Sequence, residues 1–192
     1  MSGKVWFTAD LHLGHTNVIK YSNRPFGTVQ EMNESLVRNW NACVRPGDRV
    51  YVLGDLSFQK PEGAAKTLAR LMGQIYLVKG NHDRDKILEA CEGRFVWVKD
   101  YFELKYEEQK MILCHYPFLT WRGSHKGAWN LHGHCHGSLQ PEVNRYARRL
   151  DVGVDVHNYR PIEFTEIREI LNQREFKPVD HHGKKEEDEE DV

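Results

Sequence analysis

Arg49-Val50-Tyr51-Val52-Leu53-Gly54-Asp55 is the stretch around which the chain is organised. Its first five residues, rich in β-branched and aromatic side chains, read as a strand buried on both faces. Glycine lets the backbone turn sharply at the strand's carboxyl end, where open α/β sheets place their ligands. The carboxylate that follows is too polar to be buried there without a partner. Four other apolar strands end in the same manner, at Asp10-Leu11-His12, Gly80-Asn81-His82-Asp83, Cys114-His115 and Gly133-His134-Cys135-His136. Five strand ends thus deliver three Asp, five His and one Asn toward one sheet edge. Converging side chains of that kind are ligands for metal ions, with Asp55 placed between two of them.

Outward from this stretch the chain alternates strands and helices. Lys4 to Ala9 is a strand, and Leu13 to Asn17 is a loop that opens a short helix through Val18, Ile19 and Tyr21. Thr28 to Val44 is a helix opened by a Thr28/Glu31 capping box, with Val29, Met32, Leu36, Trp40 and Cys43 on one stripe. Pro61 to Met72 is a further helix that starts on proline and ends at Gly73, Gln74 to Val78 is a strand, and Asp85 to Cys91 a short helix. The pattern then changes to consecutive strands: Arg94 to Val98, Tyr101 to Tyr106, Lys110 to His115, Ala128 to His132 and Arg148 to Val154. Glu107-Glu108-Gln109 reads as a hairpin, Trp121 to Gly127 as a basic loop, Pro161 to Phe164 as a last strand and Thr165 as the start of a terminal helix. The first half supplies parallel βα units and the second mainly antiparallel strands. An α/β fold of two mixed sheets packed face to face, with helices outside, is expected.

At 192 residues this is one domain, and 40% hydrophobic with 29% charged residues is ordinary for a globular chain. No apolar run approaches a membrane span, and Met1-Ser2-Gly3-Lys4 leads straight into a strand, not into a signal peptide. The four cysteines lack C-x-x-C spacing and suit reduced thiols, so a cytoplasmic location is expected. Alternation along the strand end turns Cys135 away from the metals. The net charge of −1 conceals an asymmetry: seven acidic residues and two lysines give residues 178–192 a charge of −5, which leaves +4 on residues 1–177. The domain is accordingly read as residues 1–177, followed by an acidic, disordered tail over 178–192 that serves solubility.

Taken singly, each strand-end motif has a structural alternative. Asp-x-His caps a helix, and Gly-Asn-His-Asp turns a chain through left-handed backbone. Together and in order, D-x-H, G-D, G-N-H-D, a lone His and G-H-x-H resemble the motifs of the calcineurin-like metallophosphoesterase superfamily. Asp10-Leu11-His12-Leu13-Gly14-His15 and Asn23-Arg24-Pro25-Phe26 are similar to small stand-alone bacterial and phage members. The resemblance implies a four-layer αββα sandwich. It implies that Asp10, His12 and His136 hold one metal, that Asn81, His115 and His134 hold the other, and that Asp55 bridges them. It further implies that His82 faces the substrate; an imidazole there can protonate the leaving oxygen or stabilise the transition state, with the adjacent Asp83 to orient it.

Oxygen and nitrogen donors without thiolate favour Mn²⁺ first, then Fe, Ni²⁺, Co²⁺ or Zn²⁺. Two such ions would activate a shared hydroxide for in-line attack on a phosphate ester. Candidate substrate contacts are Arg24, His15 and Arg122, with Asn17, Arg84 and His125 as further polar groups and Trp121 or Phe26 as stacking rings. Asp155 and His157 are read as structural neighbours of the site. Short loops and the absence of a capping domain suit small phosphodiesters or nucleotides. Phosphomonoesters are the alternative, and nucleic acid is a further substrate class despite the modest body charge. A non-enzymatic scaffold would require lost catalytic groups, and His82 is intact.

Overall fold

The computed structural model describes residues 3–179, so most of the stretch read as an acidic tail lies outside the described residues. Two sheets form the body. The first has the order β4-β3-β2-β1-β9 and comprises β1 (Val5–Thr8), β2 (Arg49–Val52), β3 (Gln74–Val78), β4 (Phe95–Lys99) and β9 (Ile162–Glu163). Strands β1 to β4 run parallel and β9 antiparallel to β1. Strand alternation sorts its side chains into two cores. Trp6, Val50, Val52, Ile75 and Leu77 meet the helices, whereas Val5, Phe7, Tyr51 and Val78 meet the second sheet.

The helices on the first sheet are α1 (Thr16–Tyr21), α2 (Val29–Cys43), α3 (Pro61–Leu68) and α4 (Asp85–Ala90). Helix α2 buries Met32, Leu36 and Trp40 as its periodicity demands. The Glu31 N–H donates to Thr28 Oγ1 at 3.1 Å, while the Glu31 carboxylate accepts from Gly27 N, one residue upstream of the expected box. Helix α3 stops before the expected Met72. Leu71 N and Arg94 Nε donate to Leu68 O at its end, and in the segment that follows Asn41 Nδ2 of α2 donates to Arg70 O and Trp40 Nε1 to Met72 O, so these carbonyls are satisfied without another helical turn.

The second sheet comprises β5 (Phe102–Tyr106), β6 (Gln109–Leu113), β7 (Trp129–His132) and β8 (Arg149–Asp151), in that order. Only β5 and β6 pair antiparallel, through a two-residue turn in which Glu107 and Glu108 take φ of 45° and 63°. Strands β6, β7 and β8 are parallel, contrary to the expected antiparallel run. Residues 114–128 and 133–148, the latter carrying α5 (Pro141–Asn144), return the chain to the same end, which tight turns could not do. The terminal helix α6 (Phe164–Asn172) begins one residue before Thr165, on a capping box between Glu163 and Glu166. It adds Phe164, Ile167 and Leu171 to the core between the sheets. This is the expected α/β sandwich of two mixed sheets flanked by helices. Its arrangement brings the carboxyl ends of β1, β2, β3, β6 and β7 to one edge, where Asp10 N donates to Gly54 O and Gly133 N to His115 O.

Candidate metal centre

At this edge the backbone is strained. Asp10, His12, Asp55, His134 and His136 have φ between 47° and 68°, the left-handed region that L side chains avoid. Such strain persists only where the surroundings over-determine it, and it clusters at functional sites. Gly54 shows how close the approach is: its φ is 92°, and a Cβ there would lie 2.5 Å from His115 Nδ1 and 2.6 Å from Gly80 Cα.

Each buried carboxylate uses one oxygen on a loop and aims the other inward. Asp10 Oδ2 accepts the His134 N–H at 2.9 Å, and Asp55 Oδ1 accepts the His82 N–H at 2.9 Å. The inward Asp55 Oδ2 lies 3.6 Å from Nε2 of both His12 and His115. That is too long for a hydrogen bond, and it matches the edge between two donors each about 2.1 Å from a shared cation. Asp10 Oδ1 and His12 Nε2 are buried without a hydrogen-bond partner among the described residues.

The histidine tautomers lead to the same conclusion. His115 Nδ1 is 2.8 Å from the Leu53 carbonyl oxygen, so it carries the proton and Nε2 presents a lone pair. That lone pair faces the Asn81 side-chain oxygen at 3.0 Å, and His134 Nδ1 is 3.1 Å from the same oxygen. Nitrogen and oxygen donors placed in this way can hold a cation between them. Asp10, His12 and His136 bring donor atoms within 4.8 Å of one another, and so do Asp10, Asp55 and His115. Asp10 therefore reaches both groups, while Asp55 stands between His12 and His115.

Burial, with the Asp151 and Asp55 charges behind it, holds the Asp10 carboxyl well above the usual range. Burial also pushes His12 down to about 2, helped by His136, and lowers His134. Neutral imidazoles are the ligand form, and a divalent ion reverses the field on Asp10.

Behind these side chains stands a salt bridge that removes Arg24 from the substrate contacts. Its side chain is 0% exposed, and its Nε and Nη2 each donate to Asp155 at 2.8 Å. Nη1 donates to Leu11 O and Nη2 to Asp10 O, which clamps the strained Asp10–His12 turn. Asp155 Oδ2 accepts from His136 Nδ1 at 2.7 Å, fixing the tautomer that leaves Nε2 for a metal. Burial raises the Asp155 pKa, but the bonds from His136 and Arg24 outweigh it and leave the carboxyl below its ordinary value. His157 is tied to the Asp151 carbonyl, a structural role.

Asp83 does not orient His82. Its carboxylate accepts from Asp55 N, Leu56 N and Gly80 N at 2.8–2.9 Å and so stitches two ligand loops together. The exposed His82 ring lies against Phe58, 4.9 Å between centroids, and faces a cavity of about 590 Å³. His15 and Asn17 line the same cavity, as does Cys135, which belongs to neither group of candidate metal donors. Arg122 is elsewhere: its side chain is 79% exposed, pairs with Glu103, and lines a separate cavity with His125. Trp121 donates its indole N–H to Ala128 O, Phe26 packs edge-on against Tyr159, and Arg84 stands over the Phe58 ring. Sequence reasoning missed Phe58, whose ring stacks on His15 at 4.0 Å and 11°. The bridge between Leu13 and Ser57 sets these loops side by side, a pairing with no sequence signature.

A family model described as calcineurin-like phosphoesterase matches residues 3–186. The chain belongs to that family. A curated relative, an uncharacterised protein of Methanocaldococcus jannaschii, is 34% identical over 88% of this phosphoesterase and 92% of its own length. The gene 66 protein of Mycobacterium phage L5 is 27% identical, covering 87% and 93%. A solved protein of unknown function from Aquifex aeolicus superposes with a TM-score of 0.71 at 24% identity, over 88% of this chain and 99% of that one, and shares the fold. Membership implies metal-dependent hydrolysis of phosphate esters. No helix among the described residues is long and apolar enough to cross a membrane.

Proposed function

We propose that this phosphoesterase works with two divalent ions, Mn²⁺ foremost, on small phosphodiesters or nucleotides. Asp10, His12 and His136 would hold one ion, and Asn81, His115 and His134 the other, with Asp55 shared. The observation that carries this reading is the inward Asp55 oxygen, 3.6 Å from Nε2 of both His12 and His115, beside the unpartnered buried Asp10 Oδ1. Hard carboxylate and amide oxygens mixed with imidazole suit Mn²⁺. When bound, such ions neutralise phosphoryl oxygens and lower the pKa of water.

The chain's own groups supply the rest. His82 is anchored through its backbone N–H on Asp55, leaving its ring open to the cavity to give a proton to the leaving oxygen. His15, held flat on Phe58, faces the same space and can bond a phosphate oxygen. His82→Ala tests the assignment: metal content should stay, and kcat should fall about 10²–10⁴-fold on esters with poor leaving groups. The loss should be smaller on p-nitrophenyl esters, and equal losses on both would reject proton donation.

A further inference from the structure

We propose that the cavity beside the metal centre is a subsite for an uncharged aromatic substituent of the phosphate ester, a single nucleoside being the class that fits. The inference deepens the phosphodiester reading and rests on it for the position of the phosphate. The cavity is lined by His12, His134 and His136 of the candidate metal centre together with Asn17, Tyr21 and Ser138. Its volume of about 590 Å³ is in the range that holds one small organic ligand.

Its lining contains neither Lys or Arg nor Asp or Glu. A second phosphate bound there would meet no Lys or Arg among the lining residues, so nucleoside polyphosphates and acidic peptides fit less well than an uncharged group. Flat surfaces are present instead. His15 stacks on Phe58, and the Tyr21 ring meets His15 edge-on at 6.4 Å and 73°. Tyr21 is 78% exposed, a large ring that no core requires, on the short helix that borders the cavity. Aromatic rings beside a phosphate site take bases with little regard to sequence. The Asn17 amide supplies a neutral donor and acceptor, and the Ser138 hydroxyl, which donates to Cys135 O, a further acceptor for a base edge or ribose, which an alkyl substituent would leave without partners.

Two measurements test this. In calorimetric titration, thymidine should bind saturably, and Tyr21→Ala should weaken it roughly 5- to 150-fold, the range seen when a stacking ring is removed. In Mn²⁺-loaded protein, thymidine 5′-(p-nitrophenyl) phosphate and methyl p-nitrophenyl phosphate release the same leaving group. The thymidine ester should show a KM at least about tenfold lower, and Tyr21→Ala should shrink that advantage to below about threefold. Equal KM values in the unaltered protein, or an advantage retained in Tyr21→Ala, would overturn the subsite. If neither ester is hydrolysed, the phosphodiester reading fails, and the titration still decides: saturable thymidine binding weakened by Tyr21→Ala upholds the subsite, and its absence removes it.

Discussion

Arg24→Ala should be among the most destabilising single changes in this protein. The side chain is 0% exposed and its partner Asp155 6%, so the pair is shielded from water. Removing one member of a buried pair leaves an uncompensated charge and costs about 3–5 kcal/mol. Two further acceptors, Leu11 O and Asp10 O, lose their donors, at about 1 kcal/mol each. The hydrogen bond from His136 to Asp155 remains and offsets part of this, leaving a net loss of about 4 kcal/mol. For a domain of this size, thermal unfolding followed by circular dichroism should show Tm falling by roughly 8–16 °C. Arg24→Lys should recover only part of the loss, because an ammonium cannot reproduce the fork. Arg122→Ala is the control: that arginine is 79% exposed beside Glu103, and exposed pairs contribute about 0–1 kcal/mol. A Tm fall below about 3 °C in Arg24→Ala, or equal falls in the two variants, would refute the reasoning.

Other outcomes follow from the same geometry. Asp55→Asn weakens the oxygen that faces both His12 and His115, so equilibrium dialysis should show both metal sites impaired, with kcat down at least about 10²-fold. Glu166 accepts from Arg160 at 2.6 Å and closes the α6 capping box, and the bond from Arg160 leads the interactions that hold its pKa below the ordinary value. A depressed folded pKa means stability that is present above the unfolded pKa and lost as pH falls through the folded one. Glu166→Gln should therefore cost about 1 kcal/mol at pH 7, and urea titrations should show the difference from the unaltered protein shrinking as pH drops below about 4.5.

The residues proposed as metal ligands could be picked out because each follows a buried strand, and because a carboxylate or imidazole at a sheet's carboxyl edge has few inert reasons to recur. Arg24 was misread for a physical reason. An arginine in a polar loop has the same sequence signature whether it meets solvent or a carboxylate 131 residues away. Asp83 was read as the neighbour of His82, but its bonds run to Asp55 and Leu56, 28 and 27 residues upstream. The parallel pairing of β6, β7 and β8 depends on where two long connections return the chain, which strand periodicity does not encode. Phe58 carries no motif, and its place beside His15 and His82 follows from loop pairing alone.

The central claim is that the proposed centre takes two ions, with Asp10, His12 and His136 on one, Asn81, His115 and His134 on the other, and Asp55 shared between His12 and His115. Its most direct test is metal stoichiometry: load chelator-stripped protein with Mn²⁺, remove free ions, and measure bound manganese per chain by plasma mass spectrometry alongside hydrolysis of bis-p-nitrophenyl phosphate. The account predicts about two equivalents, with activity appearing as the second site fills. Full activity with binding saturated at one equivalent would contradict it.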